Sequence, residues 1–396
     1  MPRKVSILGS TGSIGQNTID LILRAPDEYE VIAVTGARNI SQLAADARAL
    51  SAQIAVTAHD NLLDELRAAL EGSGIEAAAG AQSITEAASR PADWIMSAIV
   101  GAAGLEPGMA ALAQGTTLAL ANKESLVCAG RLVLETGRAH GATIMPVDSE
   151  HSAVFQALVG EEMAAVERII ITASGGAFRD WPLDDLAQAT LAQASSHPNW
   201  DMGQRITIDS ASMFNKAMEV IETREFFDVK PEEIEVLVHP QSMIHALVGF
   251  NDGALMAHVG PPDMRHAIGY ALHYPDRRKL PVERLDLAAI GRFDFYAPDM
   301  RRWPALRIAR EVMARGGLAG AVFNAAKETA LDGFIAGQLA FTQMSDIVAA
   351  TLDTLEHGGG HIDATMTLDN VLQIDHLARK AAKAAIDKTT NKYVKT

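Results

Sequence analysis

The chain has 396 residues, 48% of them hydrophobic and 21% charged, an ordinary globular composition too long for one core, so two or three domains are expected. A formal charge of -15 repels nucleic acid and anionic lipid, and any phosphate-bearing ligand has to be held by local donors against that field. The single cysteine, Cys128, excludes an internal disulfide and fits a reducing compartment.

Met-Pro-Arg-Lys leads straight into an apolar run and a glycine loop, with no signal-peptide or transit pattern. The longest charge-free apolar stretches, 94–105 and 107–122, are short and interrupted, so they make poor membrane spans. A cytoplasmic protein without a membrane or nucleic-acid partner is expected. Short β-branched runs at 5–8, 30–34, 54–56, 94–98, 117–120 and 143–146 alternate with amphipathic stretches such as 41–50 and 62–70. That alternation predicts an α/β unit over 1–148, a Rossmann-like, doubly wound parallel sheet.

The pattern changes at 149. Strands are expected at 168–172, ending in Ser-Gly-Gly, at 206–208 and at 235–239, with helical period over 212–226. The runs 242–250 and 254–259, joined through Asn251-Asp252-Gly253, read as a hairpin. An α+β catalytic unit over 149–273 follows, then a Pro/Arg/Asp-rich linker over 274–304. A C-terminal helical bundle over 305–396 completes the chain, with Gly358-Gly359-Gly360 its clearest break.

Gly9-Ser-Thr-Gly12-Ser-Ile-Gly15 leaves the first strand and opens a helix. Glycines there permit a tight turn and close backbone approach, and helix-start N–H groups accept a pyrophosphate. The G-x-x-G-x-x-G spacing is only a loose fingerprint; its strand–loop–helix setting strengthens it. After the second strand stand Arg38 and Asn39 where an NAD site usually has an acid, so NADPH is preferred. The bland alternative is a solvated arginine.

Asp148-Ser149-Glu150 follows the run 143–146; on an extended backbone both carboxylates point to one side. Asn215, Lys216 and Glu219 share a helix face through i,i+4 and i,i+3 spacing. Oxygen-only ligands favour a hard divalent ion, Mg2+ or Mn2+, although acids after a strand are commonly exposed groups or caps. Ser174-Gly175-Gly176 and Asp209-Ser210, read as a helix start, are anion-friendly loops, or simply a turn and a cap. The loop 197–205, with His197, Trp200 and Met202 among turn formers, suits a mobile cover over a ligand.

Together these segments resemble the 1-deoxy-D-xylulose 5-phosphate reductoisomerase family. GSTGSIG at 9–15, ANKESLV at 121–127, PVDSEHSAVFQ at 146–156 and ASGGAFR at 173–179 match in the family's order. HPNWDMG at 197–203, DSASMFNKAMEVIE at 209–222 and HPQSMIHALV at 239–248 continue it. The resemblance implies Asp148, Glu150 and Glu219 as ligands of a divalent metal, Mg2+ or Mn2+ with Co2+ a further candidate. It implies Ser174, Ser210 and Asn215 on the substrate phosphate and Lys216 on a hydroxyl. Lys123, Ser149, His197, Trp200 and Met202 would line the substrate. Thr11, Gly12, Ser13, Ile14, Ala37, Arg38, Asn39, Asn122, Lys123, Glu124 and Gly203 would meet NADPH. Ala177 departs from the family's usual proline.

The implied reaction rearranges a sugar phosphate and reduces the resulting aldehyde, giving 2-C-methyl-D-erythritol 4-phosphate. Lys123, His151 and metal-bound water are all open as proton carriers. A homodimer is implied, with 242–259 the candidate interface. Cys128 reads as a packed thiol, His357 and His361 as loop residues, and Lys327-Glu328 as helix surface. A plain NADP-dependent dehydrogenase would leave the three carboxylates idle. A non-catalytic NADP sensor would explain only the first domain.

Overall fold

A computed structural model describes residues 1–198, 203–358 and 361–393. Packing divides the chain into two compact units. The first comprises Met1–Ser125, Val133–Ser152 and Asp263–Arg284; the second comprises Leu126–Leu132, Ala153–Pro262 and Leu285–Thr396. This division is not the run of four consecutive segments expected from composition. Residues 263–284 join the first unit because the Arg265–His273 helix packs there: Trp94 Nε1 donates to the Ala271 carbonyl (3.0 Å), and Arg265 pairs with Asp20 (3.2 Å).

The first unit is built on seven parallel strands: β1 (Arg3–Leu8), β2 (Tyr29–Gly36), β3 (Ile54–Thr57), β4 (Glu76–Ala79), β5 (Trp94–Ser97), β6 (Thr117–Leu120) and β7 (Thr143–Pro146). Their order is β4-β3-β2-β1-β5-β6-β7. The direction of winding therefore reverses between β1 and β5, and in open parallel sheets ligands bind beyond the strand ends at such a point. The central strands bury nearly every side chain (Val5, Ile7, Leu8, Ala33, Val34, Ile95 and Met96 are at most 0% exposed), as two-sided coverage requires. β4 escaped the sequence reading. Glu-Ala-Ala-Ala has no β-branched residue and forms an edge strand through pairing with β3 alone.

The second unit holds a four-stranded sheet, β11-β10-β8-β9. Here β8 (Val166–Ala173) and β9 (Ile234–Val238) are parallel, and β10 (Ile244–Phe250) runs antiparallel to β8 and β11 (Leu255–Val259). The expected hairpin is present. The expected strand at 206–208 is not: Gln204–Ala211 is a helix. Ile-Thr-Ile is β-branched, but Thr207, Ile208 and Ala211 form one buried helical face, and Thr207 Oγ1 bonds back to the Gly203 carbonyl (3.0 Å). Burial outweighs local propensity there. C-terminal helices Pro304–Arg315, Ala319–Ile335, Gln343–His357 and Leu368–Tyr393 follow as expected. Gly320 lies so close to the Val127 carbonyl that an added Cβ would sit 1.9 Å away, which leaves room for no larger residue.

Candidate active site

The cofactor loop is backbone architecture. Gly9 leaves β1 at φ +94, its N–H donating to Thr35 Oγ1 (2.9 Å), and the Ser10 N–H donates to the Thr35 carbonyl (2.7 Å). A Cβ on Gly9 would fall 2.6 Å from the Ala98 carbonyl oxygen, and one on Gly15 would fall 2.3 Å from the Gly9 oxygen. Both glycines are thus required by close approach. The helix Ser13–Leu23 starts at Gly12 without a side-chain cap, so its first N–H groups are donors for an anion. Gly12 and Ser13 are exposed, and Thr11 and Ile14 are half-buried beside them. This cradle fits a dinucleotide pyrophosphate.

Ala37, Arg38 and Asn39 lie exposed at the end of β2. Asn39 has a structural duty as well: its Oδ1 accepts the Gln42 N–H (3.1 Å) and caps the helix Ile40–Ala49. Asn122 is more committed. Its amide donates to the carbonyls of Ile99 (2.5 Å) and Gly101 (2.9 Å) and to Glu124 Oε2 (3.0 Å), and its Oδ1 caps Lys123–His140 at Ser125. Only the backbone of Asn122 is left to meet a cofactor. Glu124 is buried.

Lys123 Nζ lies 2.5 Å from Asp148 Oδ2, their side chains 8% and 11% exposed. The extended geometry expected for Asp148 and Glu150 is corrected by the structure. A helix, Ser149–Ala157, begins at once, with Ser152 N–H bonded to the Asp148 carbonyl (2.8 Å) and Glu150 N–H to Asp148 Oδ1 (3.3 Å). Asp148 thereby serves the helix start, which sequence alternation could not reveal. Ser149 Oγ donates to Glu150 Oε2 (2.6 Å). His151 is fully buried behind Asp148, Nδ1 3.8 Å from Oδ1.

In the second unit Ser174 follows β8, and Gly175 and Gly176 take φ +89 and +63. Ser174 Oγ accepts the Gly176 N–H (3.1 Å) and bonds His197 Nε2 (3.0 Å). Burial lowers the His197 pKa to about 4, so the imidazole is neutral at pH 7. A Cβ on Gly176 would meet Ala211 Cα at 2.6 Å and the Ser210 oxygen at 2.8 Å. The glycine therefore lets the Ser174 loop lie flush against the Ser210 end of the helix Gln204–Ala211. Asp209 and Ser210 end that helix; they do not begin the next one, as their sequence context suggested. The chain then turns through Met213 (φ +61) into the helix Phe214–Phe227. Asn215 and Lys216 both donate to the Glu219 carboxylate, and Lys216 and Glu219 are buried.

Gly203 caps the helix Gln204–Ala211 and is exposed. Trp200 and Met202 lie outside the described residues. Lys327 corrects the sequence reading: it is 3% exposed and pairs with Asp209 at 2.9 Å. The signal was present in Asn324, Lys327 and Leu331, which share the buried side of their helix. Cys128 is buried, as expected of a packed thiol.

The three acids expected as metal ligands, Asp148, Glu150 and Glu219, offer oxygen donors, and Asp148 and Glu219 each pair with a buried lysine. That donor set suits a hard divalent cation.

Comparison with known proteins agrees. The model of 1-deoxy-D-xylulose 5-phosphate reductoisomerase matches residues 5–130; those of its C-terminal domains match 144–227 and 259–381. The reductoisomerase of Ruegeria pomeroyi is 72% identical over 386 residues, covering 98% of each chain. That of Jannaschia sp. is 71% identical over 384 residues, covering 97% of this chain and 98% of its own. The solved reductoisomerase of Zymomonas mobilis in complex with NADPH is 46% identical and superimposes with a TM-score of 0.91 over 98% of this chain and 99% of its own. A solved DOX-P reductoisomerase holding NADPH, fosmidomycin and magnesium is 37% identical, with a TM-score of 0.92 over 97% of this chain and 98% of its own. The chain belongs to the 1-deoxy-D-xylulose 5-phosphate reductoisomerase family.

Proposed function

We propose that the chain converts 1-deoxy-D-xylulose 5-phosphate to 2-C-methyl-D-erythritol 4-phosphate, using NADPH and a divalent metal, in isoprenoid precursor synthesis. The observation that carries the reading is that two separate acids, Asp148 and Glu219, are each paired with a lysine in a nearly buried setting. Buried ion pairs are expensive to assemble and rarely contribute net stability, so two of them at acids the resemblance implies as metal ligands argue for chemistry.

Asp148, Glu150 and Glu219 would hold the metal. When bound, the ion supplies Lewis acidity to the substrate's carbonyl and neighbouring hydroxyl, and NADPH supplies the hydride. The loop at 9–15 binds the pyrophosphate, and Arg38 meets the 2′-phosphate. Ser174, Ser210 and Asn215 grip the substrate phosphate, with Lys216 on a hydroxyl. Neutral His197 supports Ser174 without adding charge. Lys123 orients Asp148 and stands nearest to a proton-carrying role. Trp200 would cover the substrate and exclude water while the carbon skeleton breaks and rejoins.

The test is NADPH oxidation with 1-deoxy-D-xylulose 5-phosphate, with and without EDTA. Turnover lost to EDTA and restored by Mg2+ or Mn2+ supports the reading. Metal-independent turnover would make the chain a plain dehydrogenase, and no turnover with any metal would make it a sensor.

No described helix is long and apolar enough to cross a membrane. We place the protein in the cytoplasm as a homodimer joined through the β10–β11 hairpin. The edge strand β11 exposes Leu255 (50%) and Val259 (39%) on one face and Met256 (49%) on the other, apolar surface that a second copy would cover. Light scattering of Leu255→Lys tests this; an unchanged dimer mass would move the interface elsewhere.

A further inference from the structure

Beneath the glycine loop lies a buried carboxylate that no step of the reaction uses. Asp46, on the helix Ile40–Ala49, is 4% exposed. Its Oδ2 accepts from Ser10 Oγ (3.1 Å), and both of its oxygens accept from Gln16 Nε2 (2.9 Å each). Gln42 Nε2 donates to Oδ1 (2.8 Å). Gln16 also donates to the Ser10 carbonyl (2.9 Å), which ties the loop to the helix it opens.

All three donors are neutral, and a carboxylate buried among neutral groups is costly unless its lone pairs are used. The donors come from both sides of the cofactor face. Ser10 and Gln16 belong to the glycine loop and its helix. Gln42 lies in the first turn after Arg38 and Asn39. Gln42 makes a second bond, its backbone N–H donating to Asn39 Oδ1 (3.1 Å). One residue thus joins the carboxylate hub to the turn that carries Arg38.

We propose that Asp46, acting through Gln16 and Gln42, is a positioning residue that sets the glycine loop against the Arg38–Asn39 turn and so determines the preference for NADPH over NADH. The inference rests on the reading of these two segments as the cofactor's contacts. NADPH engages both the loop and the turn through charged groups, so its affinity depends on their spacing. NADH needs the loop but has no phosphate at the turn. Loosening Asp46 should weaken both cofactors and NADPH the more, because the loop and the turn both lose their tie, whereas cutting the Gln42 bridge should weaken chiefly NADPH.

The experiment measures Kd for NADPH and NADH by protein-fluorescence titration, with thermal unfolding followed in parallel. In Asp46→Asn an amide NH2 replaces one acceptor and faces donors, so both Kd values should rise, that for NADPH roughly ten-fold more than that for NADH. Gln42→Ala keeps a good helix former and should lower the ratio Kd(NADH)/Kd(NADPH) by roughly five- to ten-fold. It decides the matter even if Asp46→Asn does not fold. Arg38→Asp tests the underlying contact reading through the same ratio. If Arg38→Asp collapses the ratio while Gln42→Ala leaves it within about twofold, the bridge is overturned. If Arg38→Asp leaves the ratio unchanged, the contact reading fails and takes the inference with it. A lowered Tm in Gln42→Ala with unaltered affinities would reduce the hub to a structural tie.

Discussion

The glycine loop of the first unit and the proposed Ser174–Ser210 phosphate grip of the second are built from opposite materials. The loop is made of main chain: positive φ at Gly9, an uncapped helix start, and glycines whose Cβ atoms would strike carbonyl oxygens. The grip is made of side chains, and buried charge holds them in place: Asp209 by Lys327, Glu219 by Lys216. A backbone site tolerates changes in its side chains but not an added Cβ. A side-chain site fails when any one of its internal partners is removed, because the remaining charge is stranded.

Glu219→Gln should produce the largest effect. It removes a proposed metal ligand and leaves the buried Lys216 facing a neutral amide. Turnover should fall on the order of 10²–10³-fold, with NADPH affinity retained because the loop belongs to the other unit. Near wild-type kcat at limiting Mn2+ would remove Glu219 from the ligand set.

Lys327→Met asks whether the grip depends on buried charge. Stranding Asp209 should cost about 3–5 kcal/mol, and Asp209→Asn combined with Lys327→Met should recover most of it. Urea unfolding of the parent and the two variants measures both. Equal midpoints throughout would show that the pair holds nothing in place.

Arg38→Asp challenges the backbone side of the contrast at its one exposed charged side chain. A loop that binds pyrophosphate through main-chain donors should still take NADH, while the kcat/KM ratio of NADPH to NADH falls roughly 10–100-fold. Steady-state kinetics with both cofactors decide it.

The smallest effect concerns His197. Its folded pKa, about 4, lies below the ordinary 6.5, so the unfolded chain binds a proton that the folded chain excludes. The neutral form's contribution is fully present above about pH 6.5 and is lost as pH falls toward 4. Half-exposure of the side chain keeps it small. Denaturant midpoints between about pH 7 and 5 should slope less in His197→Gln than in the parent. Parallel slopes would assign the acid sensitivity to other groups.

Local pattern carried much of the architecture. Alternating β-branched runs located six of the seven strands in the first sheet, because a strand buried on both faces is continuously apolar. The hairpin was legible because Asn-Asp-Gly between two apolar runs is turn chemistry. The glycine loop was legible because a backbone site leaves its signature in the one residue type that backbone strain selects. Trp200 and Met202 lie outside the described residues.

Tertiary structure decided the rest. Gln204–Ala211 became a helix against its β-branched composition because its buried face outweighs local preference. Asp148 entered a helix start instead of an extended pair. Asp46 with Ser10, and Lys327 with Asp209, are bonds across 36 and 118 residues of chain. A charged residue in an amphipathic helix reads as surface unless something far away in sequence is folded against it. The sequence alone therefore determined where the glycine-rich loops lie; the fold chose which charges are buried behind them, because only a partner brought from elsewhere can offset the cost of taking a charge out of water.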